Sequence, residues 1–275
     1  MYNILAADGI AAEGLEILRE NFNVEVRDKL SAEELLDIIP KFDALIVRSA
    51  SKVTAEVLAR AEKLKIIGRA GVGVDNIDVK AATERGIIVI NSPDGNTIAA
   101  TEHTFAMMLA VSRNIPQANK TIHDGGWDRK KFVGVELRNK ILGVIGLGRI
   151  GAGVAKRAQA FQMNVVAYDP FVSADRAESL GVKLVTLDEL FKTADFITVH
   201  MPLTQETENM ISLAQMKTMK PTVRLINCAR GGIINEADLA VALREKIIAG
   251  AAIDVFTAEP LDKNSPLISL PNIIL

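Results

Sequence analysis

The chain has 275 residues, 49% of them hydrophobic and only 4% aromatic, enough to fill one large or two medium cores. A formal net charge of −2 and a pI near 6.0 exclude a basic face for nucleic acid or an anionic membrane, so the expected partners are small molecules. A basic-plus-apolar leader and any apolar run of about 18 residues are both missing, which predicts a cytoplasmic protein, and the single cysteine, Cys228, excludes an intrachain disulfide framework.

Residues 1 to about 95 alternate between two periods. Short apolar runs predict strands at Asn3–Ala6, Val24–Val26, Ala44–Val47, Leu64–Gly68 and Ile87–Ile90. Between them, Ala11–Glu20, Ser31–Ile39, Thr54–Ala61 and Val79–Glu84 read as helices, with Ser31 as an N-cap. That alternation predicts a parallel sheet covered by helices on both faces. Asn91–Asn96 is dense in turn formers and reads as a hinge, dividing the chain into domains 1–96 and 97–275. Thr97–Ser112 follows as a long helix, apolar on most faces, expected to cross between the domains. Further strands are expected at Ile141–Ile145, Val165–Tyr168, Lys183–Val185, Phe196–Val199, Val223–Asn227, Ala249–Ile253 and Asn272–Leu275.

The strand at Ile141–Ile145 runs into Gly146-Leu147-Gly148-Arg149-Ile150-Gly151 and then a helical pattern, and Asp169 ends the next strand eighteen residues after Gly151. Strand, glycine turn, helix and a distant acid together read as a dinucleotide site. Gly146 permits the sharp turn, Gly148 admits a pyrophosphate to the backbone amides, and Gly151 lets the helix pack on its strand. The helix N-terminus adds orphan N–H donors and partial positive charge. Asp169 can accept both ribose hydroxyls and would repel a 2′-phosphate, and the following Pro170-Phe171 offers no cation, so NAD is the expected cofactor.

In doubly wound sheets the ligand lies beyond the carboxyl ends of the strands. That singles out Gly146–Gly151, Asp169, His200-Met201-Pro202, Cys228-Ala229-Arg230 and Asp254. Arg230 leaves a strand into a glycine pair, which holds a permanently charged planar fork at a strand end.

Six stretches in this order carry a resemblance: Leu45–Ser49, Arg69–Asp78, Gly126–Phe132, Gly146–Gly151, Asn227–Gly232 and Ala252–Pro260. With them the whole chain resembles the D-2-hydroxyacid dehydrogenase family. The resemblance implies an α/β protein of two doubly wound parallel-sheet domains, a flavodoxin-like substrate domain and a Rossmann NAD-binding domain. It implies oxidation of a phosphorylated 2-hydroxy acid, 3-phosphoglycerate first; another 2-hydroxy acid, or a non-catalytic NAD-sensing corepressor-like protein, are the alternatives. It gives Arg230 the substrate carboxylate and ketone, and makes Glu259 the partner of a catalytic histidine. Along the cofactor it places Val72, Gly146, Gly148, Arg149, Ile150, Gly151, Asp169, His200, Met201, Cys228, Ala229 and Asp254, the last near the nicotinamide carboxamide. Arg48, Arg69, Gly73, Val74 and Arg129 are implied substrate contacts, while Lys130 and Lys131 read as a solvated charge run. A homodimer built on Thr97–Ser112 and the following linker is also implied.

Of the three histidines, His103 reads as a packing residue on its apolar helix, His123 as exposed, and His200 as lining the adenosine or ribose region. No metal site is expected. Cys228 reads as a packing thiol at a strand end rather than a nucleophile. The family's proton-carrying histidine sits in a Pro-His-x-Gly segment after a strand such as Asn272–Leu275, and these 275 residues do not include it. The expectation is therefore a chain truncated before that histidine.

Overall fold

The computed structural model describes residues 1–275, which divide into two compact units, 1–96 and 97–275. In the first unit, strands β1 (Asn3–Ala7), β2 (Asn23–Arg27), β3 (Ala44–Val47), β4 (Ile66–Arg69) and β5 (Ile88–Asn91) form a parallel sheet in the order β2-β1-β3-β4-β5. This is the flavodoxin order, with its switch point between β1 and β3. Helices α1 (Ala12–Arg19), α2 (Ala32–Ile38), α3 (Ala55–Arg60) and α4 (Val79–Glu84) connect the strands. Ser31 caps α2 as expected and forms a capping box, its hydroxyl accepting from the Glu34 N–H while Glu34 accepts from the Ser31 N–H. Leu5, Ile39, Leu45, Leu58 and Ile67 are fully buried at the centre of this unit.

The second unit starts with α5 (Thr97–Arg113) and α6 (Ile115–His123), then alternates β6 (Ile141–Ile145), α7 (Arg149–Ala160), β7 (Asn164–Tyr168), α8 (Ala174–Ser179), β8 (Lys183–Leu184), α9 (Leu187–Thr193), β9 (Phe196–Val199), α10 (Leu213–Met216), β10 (Arg224–Asn227), α11 (Glu236–Arg244), β11 (Gly250–Ile253) and β12 (Ile273–Ile274). Its seven strands are all parallel, in the order β12-β11-β10-β9-β6-β7-β8. Successive residues of one strand fill opposite layers: Leu225 belongs to the core on one face and Ile226 to the core on the other. Burial on both faces is why these strands read as continuous apolar runs rather than as alternating ones.

The segment after α5, read as a linker, begins with a helix. In α6 Pro116 sits in the first turn, where no backbone N–H is needed, and Asn114 ahead of it takes a left-handed conformation. No residue of α6 is buried, although its side chains are strongly amphipathic, and Ile115 and Ile122 are exposed. Helix α5 buries Thr101, Thr104 and Ser112 beside Phe105 and Met108; the three hydroxyls bond the carbonyls of Thr97, Ala100 and Met108 one turn back. No helix is long and apolar enough to cross a membrane.

Candidate active site

The topological switch of the seven-stranded sheet lies between β6 and β9, and the loops leaving those two strands meet there. Gly146 has φ +94°, and a Cβ on it would come 2.8 Å from the His200 carbonyl and 2.9 Å from the Met201 side chain. A side chain on Gly151 would strike the Gly146 carbonyl, so the turn closes only with glycine at both positions. Gly148 differs: it caps α7 without any side-chain hydrogen bond, and a Cβ there meets nothing within 4 Å. The helix N-terminus thus opens on vacant space flanked by backbone. Asp169, at the end of β7, accepts from the Leu147 N–H at 2.8 Å and from the Phe171 N–H at 2.8 Å, tying the glycine loop to the neighbouring strand.

His200 follows β9. Burial pushes its imidazole down to about 4, so it is neutral at physiological pH, and its Nε2 lies 3.0 Å from the fully buried Thr198 hydroxyl. A neutral ring hydrogen-bonded in this way suits lining a pocket, not carrying a cationic charge.

At the next strand ends, Asn227 is 2% exposed and folds the chain back on itself. Its amide donates to the Arg230 carbonyl at 2.8 Å and its carbonyl accepts from the Ala229 N–H at 3.0 Å. The half-buried Arg230 donates from Nη1 to the Ala229 carbonyl at 2.6 Å. A Cβ on Gly231 would collide with the Phe256–Thr257 backbone, so the Arg230 loop and the loop after β11 are in van der Waals contact. Glu259, in that second loop, is exposed and accepts from the Phe256 N–H at 3.1 Å.

Strands β10 and β11 pair Asn227 with Ile253, and the Asp254 N–H donates to the Asn227 carbonyl at 2.9 Å. Cys228 and Asp254 therefore leave the sheet side by side. Burial pushes the Cys228 thiol up to about 12, Asp254 adds to the shift and a hydrogen bond from Thr104 opposes it; the thiol is protonated and inert as a nucleophile. His103 is not a packing residue. It is exposed on α5, with Nε2 3.1 Å from Asp254 Oδ1. The helix turns that position outward because Thr104, Phe105, Met107 and Met108 occupy the buried side.

The first unit places Arg48 just after β3 and Arg69 at the end of β4, and the register pairs Val47 with Arg69, so the two cations are neighbours on the carboxyl edge of the sheet. The Arg48 backbone is pinned from both sides: its N–H donates to Asp8 at 2.9 Å and its carbonyl accepts from the Asn76 amide at 2.8 Å. Asp8 also receives the Ser51 N–H and hydroxyl. The Arg69 guanidinium lies over Gly71, where a Cβ would overlap it, and the following Val72 carbonyl accepts from the Asn91 amide at 2.6 Å. Gly73 and Val74 continue this loop, half-buried. Asp8, Asn76 and Asn227 were not singled out in the sequence. Their signal is a polar residue beside the end of a strand or turn, too common by itself to separate a loop clamp from an ordinary surface residue.

Arg129 opens a short 3-10 turn, Arg129–Phe132, capped by Asp128. It is exposed and, with Ile122, Trp127 and Phe132, lines a shallow depression. Lys130 and Lys131 are exposed as well.

The second unit fits a dinucleotide on its own geometry: open space at Gly148, an uncapped helix N-terminus for an anion, and an acid at the end of the second strand. Fold and site together define a Rossmann dinucleotide-binding domain following a flavodoxin-like one. Residues 105–275 match the model of the D-isomer specific 2-hydroxyacid dehydrogenase NAD-binding domain. The chain belongs to that family, and its cofactor is NAD. It is 53% identical to a D-3-phosphoglycerate dehydrogenase of Archaeoglobus fulgidus over 98% of this chain and 52% of that protein. To a D-3-phosphoglycerate dehydrogenase of Methanocaldococcus jannaschii it is 54% identical, over 100% of this chain and 52% of that one. It thus spans about half the length of the curated relatives it matches. Among solved structures, Aquifex aeolicus D-lactate dehydrogenase complexed with NAD and lactic acid matches with a TM-score of 0.88 at 29% identity, covering 99% of this chain and 87% of that one.

Proposed function

We propose that this chain carries the cofactor- and substrate-binding residues of a cytoplasmic NAD-dependent dehydrogenase that oxidises 3-phosphoglycerate at C2 to 3-phosphooxypyruvate, the first step of serine biosynthesis. The observation that carries the reading is the pair of adjacent strand-end cations, Arg48 and Arg69, in a chain whose relatives named D-3-phosphoglycerate dehydrogenase match nearly all of it. A substrate bearing both a carboxylate and a phosphate needs more than one fixed cation, which a simple 2-hydroxy acid does not.

In this reading Gly146, Gly148, Arg149, Ile150 and Gly151 hold the pyrophosphate and Asp169 the ribose hydroxyls. His200, Met201, Val72, Cys228, Ala229 and Asp254 border the rest of the cofactor. Bound NAD supplies the hydride acceptor. Arg230, its loop fixed by Asn227, holds the substrate carboxylate and stabilises the C2 oxygen as the alcohol becomes a ketone. Arg48, Arg69, Gly73, Val74 and Arg129 contact the carboxylate and phosphate. Glu259 orients the histidine that takes the hydroxyl proton. The exposed apolar set Ile115, Ile122, Trp127 and Val133 is assigned to a homodimer contact.

The test is Arg230→Lys in the full-length protein. Turnover with 3-phosphoglycerate should fall at least about a hundredfold while the NADH dissociation constant changes less than about threefold, because an ammonium cannot reproduce the two-pronged contact. Weakened NADH binding with turnover intact would make Arg230 a cofactor residue and overturn the assignment.

A further inference from the structure

We propose that Glu236 is a positioning residue that locks the loop carrying Glu259 to the loop carrying Arg230, so that both side chains are presented to substrate in one fixed relation. The roles of Arg230 and Glu259 are those of the dehydrogenase reading above, on which this inference rests. The lock itself consists of contacts within the second unit.

Glu236 is the first residue of α11 and is half-buried. Its Oε1 accepts from the Thr257 N–H at 2.6 Å and from the Thr257 hydroxyl at 2.8 Å. Thr257 lies in the loop after β11, two residues before Glu259, and Gly231 is pressed against its backbone so closely that a Cβ there would overlap it. One carboxylate oxygen therefore takes both donors of a residue 21 positions away, at the place where the Arg230 loop meets the Glu259 loop.

The Arg230 side of the lock is fixed independently. Asn227 holds the start of that loop; at its far end the Gly232 carbonyl accepts from the Asn209 N–H at 2.7 Å, and the Asn235 amide donates to the Asn209 side chain at 3.0 Å. The loop after β11 is tied to Asn227 through the Asp254 N–H, but further along the Phe256 N–H is met by Glu259, a partner within the loop itself. Thr257 is where this loop is bonded to the rigid base. An acid in the first turn of a helix ordinarily serves the cap or the helix dipole. Here the cap is already made, since the Asn235 side chain accepts from the Asp238 N–H at 3.0 Å. Glu236 instead directs its carboxylate across to Thr257. The chemistry gives the lock its purpose: Arg230 and Glu259 act at the same substrate carbon, and a misplacement of about 1 Å can cost about a hundredfold in rate.

The test is Glu236→Ala in the full-length protein, read by hydrogen exchange and by kinetics. Amide exchange in 255–259 should quicken at least about tenfold, while 227–232, still held by Asn227 and Asn209, should exchange as in the parent. With 3-phosphoglycerate, kcat should fall at least about tenfold, and KM and the NADH dissociation constant should each change less than about threefold. Glu236→Gln keeps an acceptor oxygen and should recover most of the turnover, a rescue that a purely structural loss would not show. Thr257→Val, at an exposed position, removes the hydroxyl arm and keeps the test intact should Glu236→Ala fail to fold; it should cost about threefold in kcat, and the two substitutions together no more than Glu236→Ala alone. Unchanged exchange at 255–259, or faster exchange with kcat unchanged, overturns the proposal. A parent protein without 3-phosphoglycerate turnover would overturn the dehydrogenase reading instead, and the exchange measurement would still decide whether Glu236 holds the loop.

Discussion

At the scale of single residues, Asp169 is proposed to use one carboxylate for two purposes. It holds the glycine loop through Leu147 and Phe171, and each oxygen retains a lone pair for a ribose hydroxyl. Asp169→Ala should therefore weaken NADH roughly tenfold to a hundredfold by loss of charge-assisted hydrogen bonds, and NADPH much less, narrowing the gap between the two. Equal dissociation constants for the two cofactors in the unsubstituted protein would refute the role. His200 makes a second prediction, this time on stability. Its folded value of about 4 is below the ordinary 6.5, so between those limits the unfolded chain binds a proton that the folded chain does not. The stabilisation from keeping the ring neutral is whole above pH 6.5 and fades as pH falls to 4, by up to about 3 kcal/mol. Denaturant midpoints compared at pH 7 and pH 4.5 should drop less for His200→Asn than for the parent protein; an equal drop would show that other groups dominate.

At the scale of elements, α7 shows that the glycines of one motif do different work. Gly151 is excluded from carrying a side chain by the Gly146 carbonyl, whereas at Gly148 the protein itself imposes no obstacle. Gly151→Ala should cost about 1–3 kcal/mol in unfolding free energy, the usual penalty for a group with no room. Gly148→Ala should leave the melting temperature nearly unchanged and weaken NADH at least about tenfold, because its methyl occupies the space assigned to the pyrophosphate. If Gly148→Ala melted early and bound NADH normally, the open space would be a feature of folding rather than of binding. Strands and amphipathic helices were legible at this scale, Ala44–Val47, Ile141–Ile145 and Phe196–Val199 to the residue, because each buries a face whose period the sequence records. Helix α6 was not read, although it is amphipathic, because Asn114-Ile115-Pro116 reads as a chain break just where the helix starts.

At the scale of the whole molecule, α6 and the segment after it carry Ile115, Ile122, Trp127 and Val133 at 52%, 53%, 79% and 80% exposure. So much apolar surface on consecutive elements is unusual for a face meant to stay in water. The homodimer expectation named α5 and the segment after it; α5 turns most of its apolar side chains inward, which leaves α6 and the Gly126–Phe132 segment as the expected contact. Trp127→Ala combined with Ile122→Ser should shift the protein toward monomer in sedimentation at micromolar concentration, with the melting transition of the monomer preserved. A double variant that sediments as the parent does would remove this face from the interface.

The sequence by itself determined the two α/β units and the dinucleotide loop, since each is written in local spacing: glycine positions and strand period. Only the tertiary structure decided what lies beside what across those strand ends. That Asp8 and Asn76 pin the Arg48 loop, that Asn227 folds the chain under Arg230, and that His103 faces Asp254 and Cys228 all follow from strand order and register. Those are set by the packing of two apolar layers against each sheet, a cooperative property of the whole unit that no local stretch encodes.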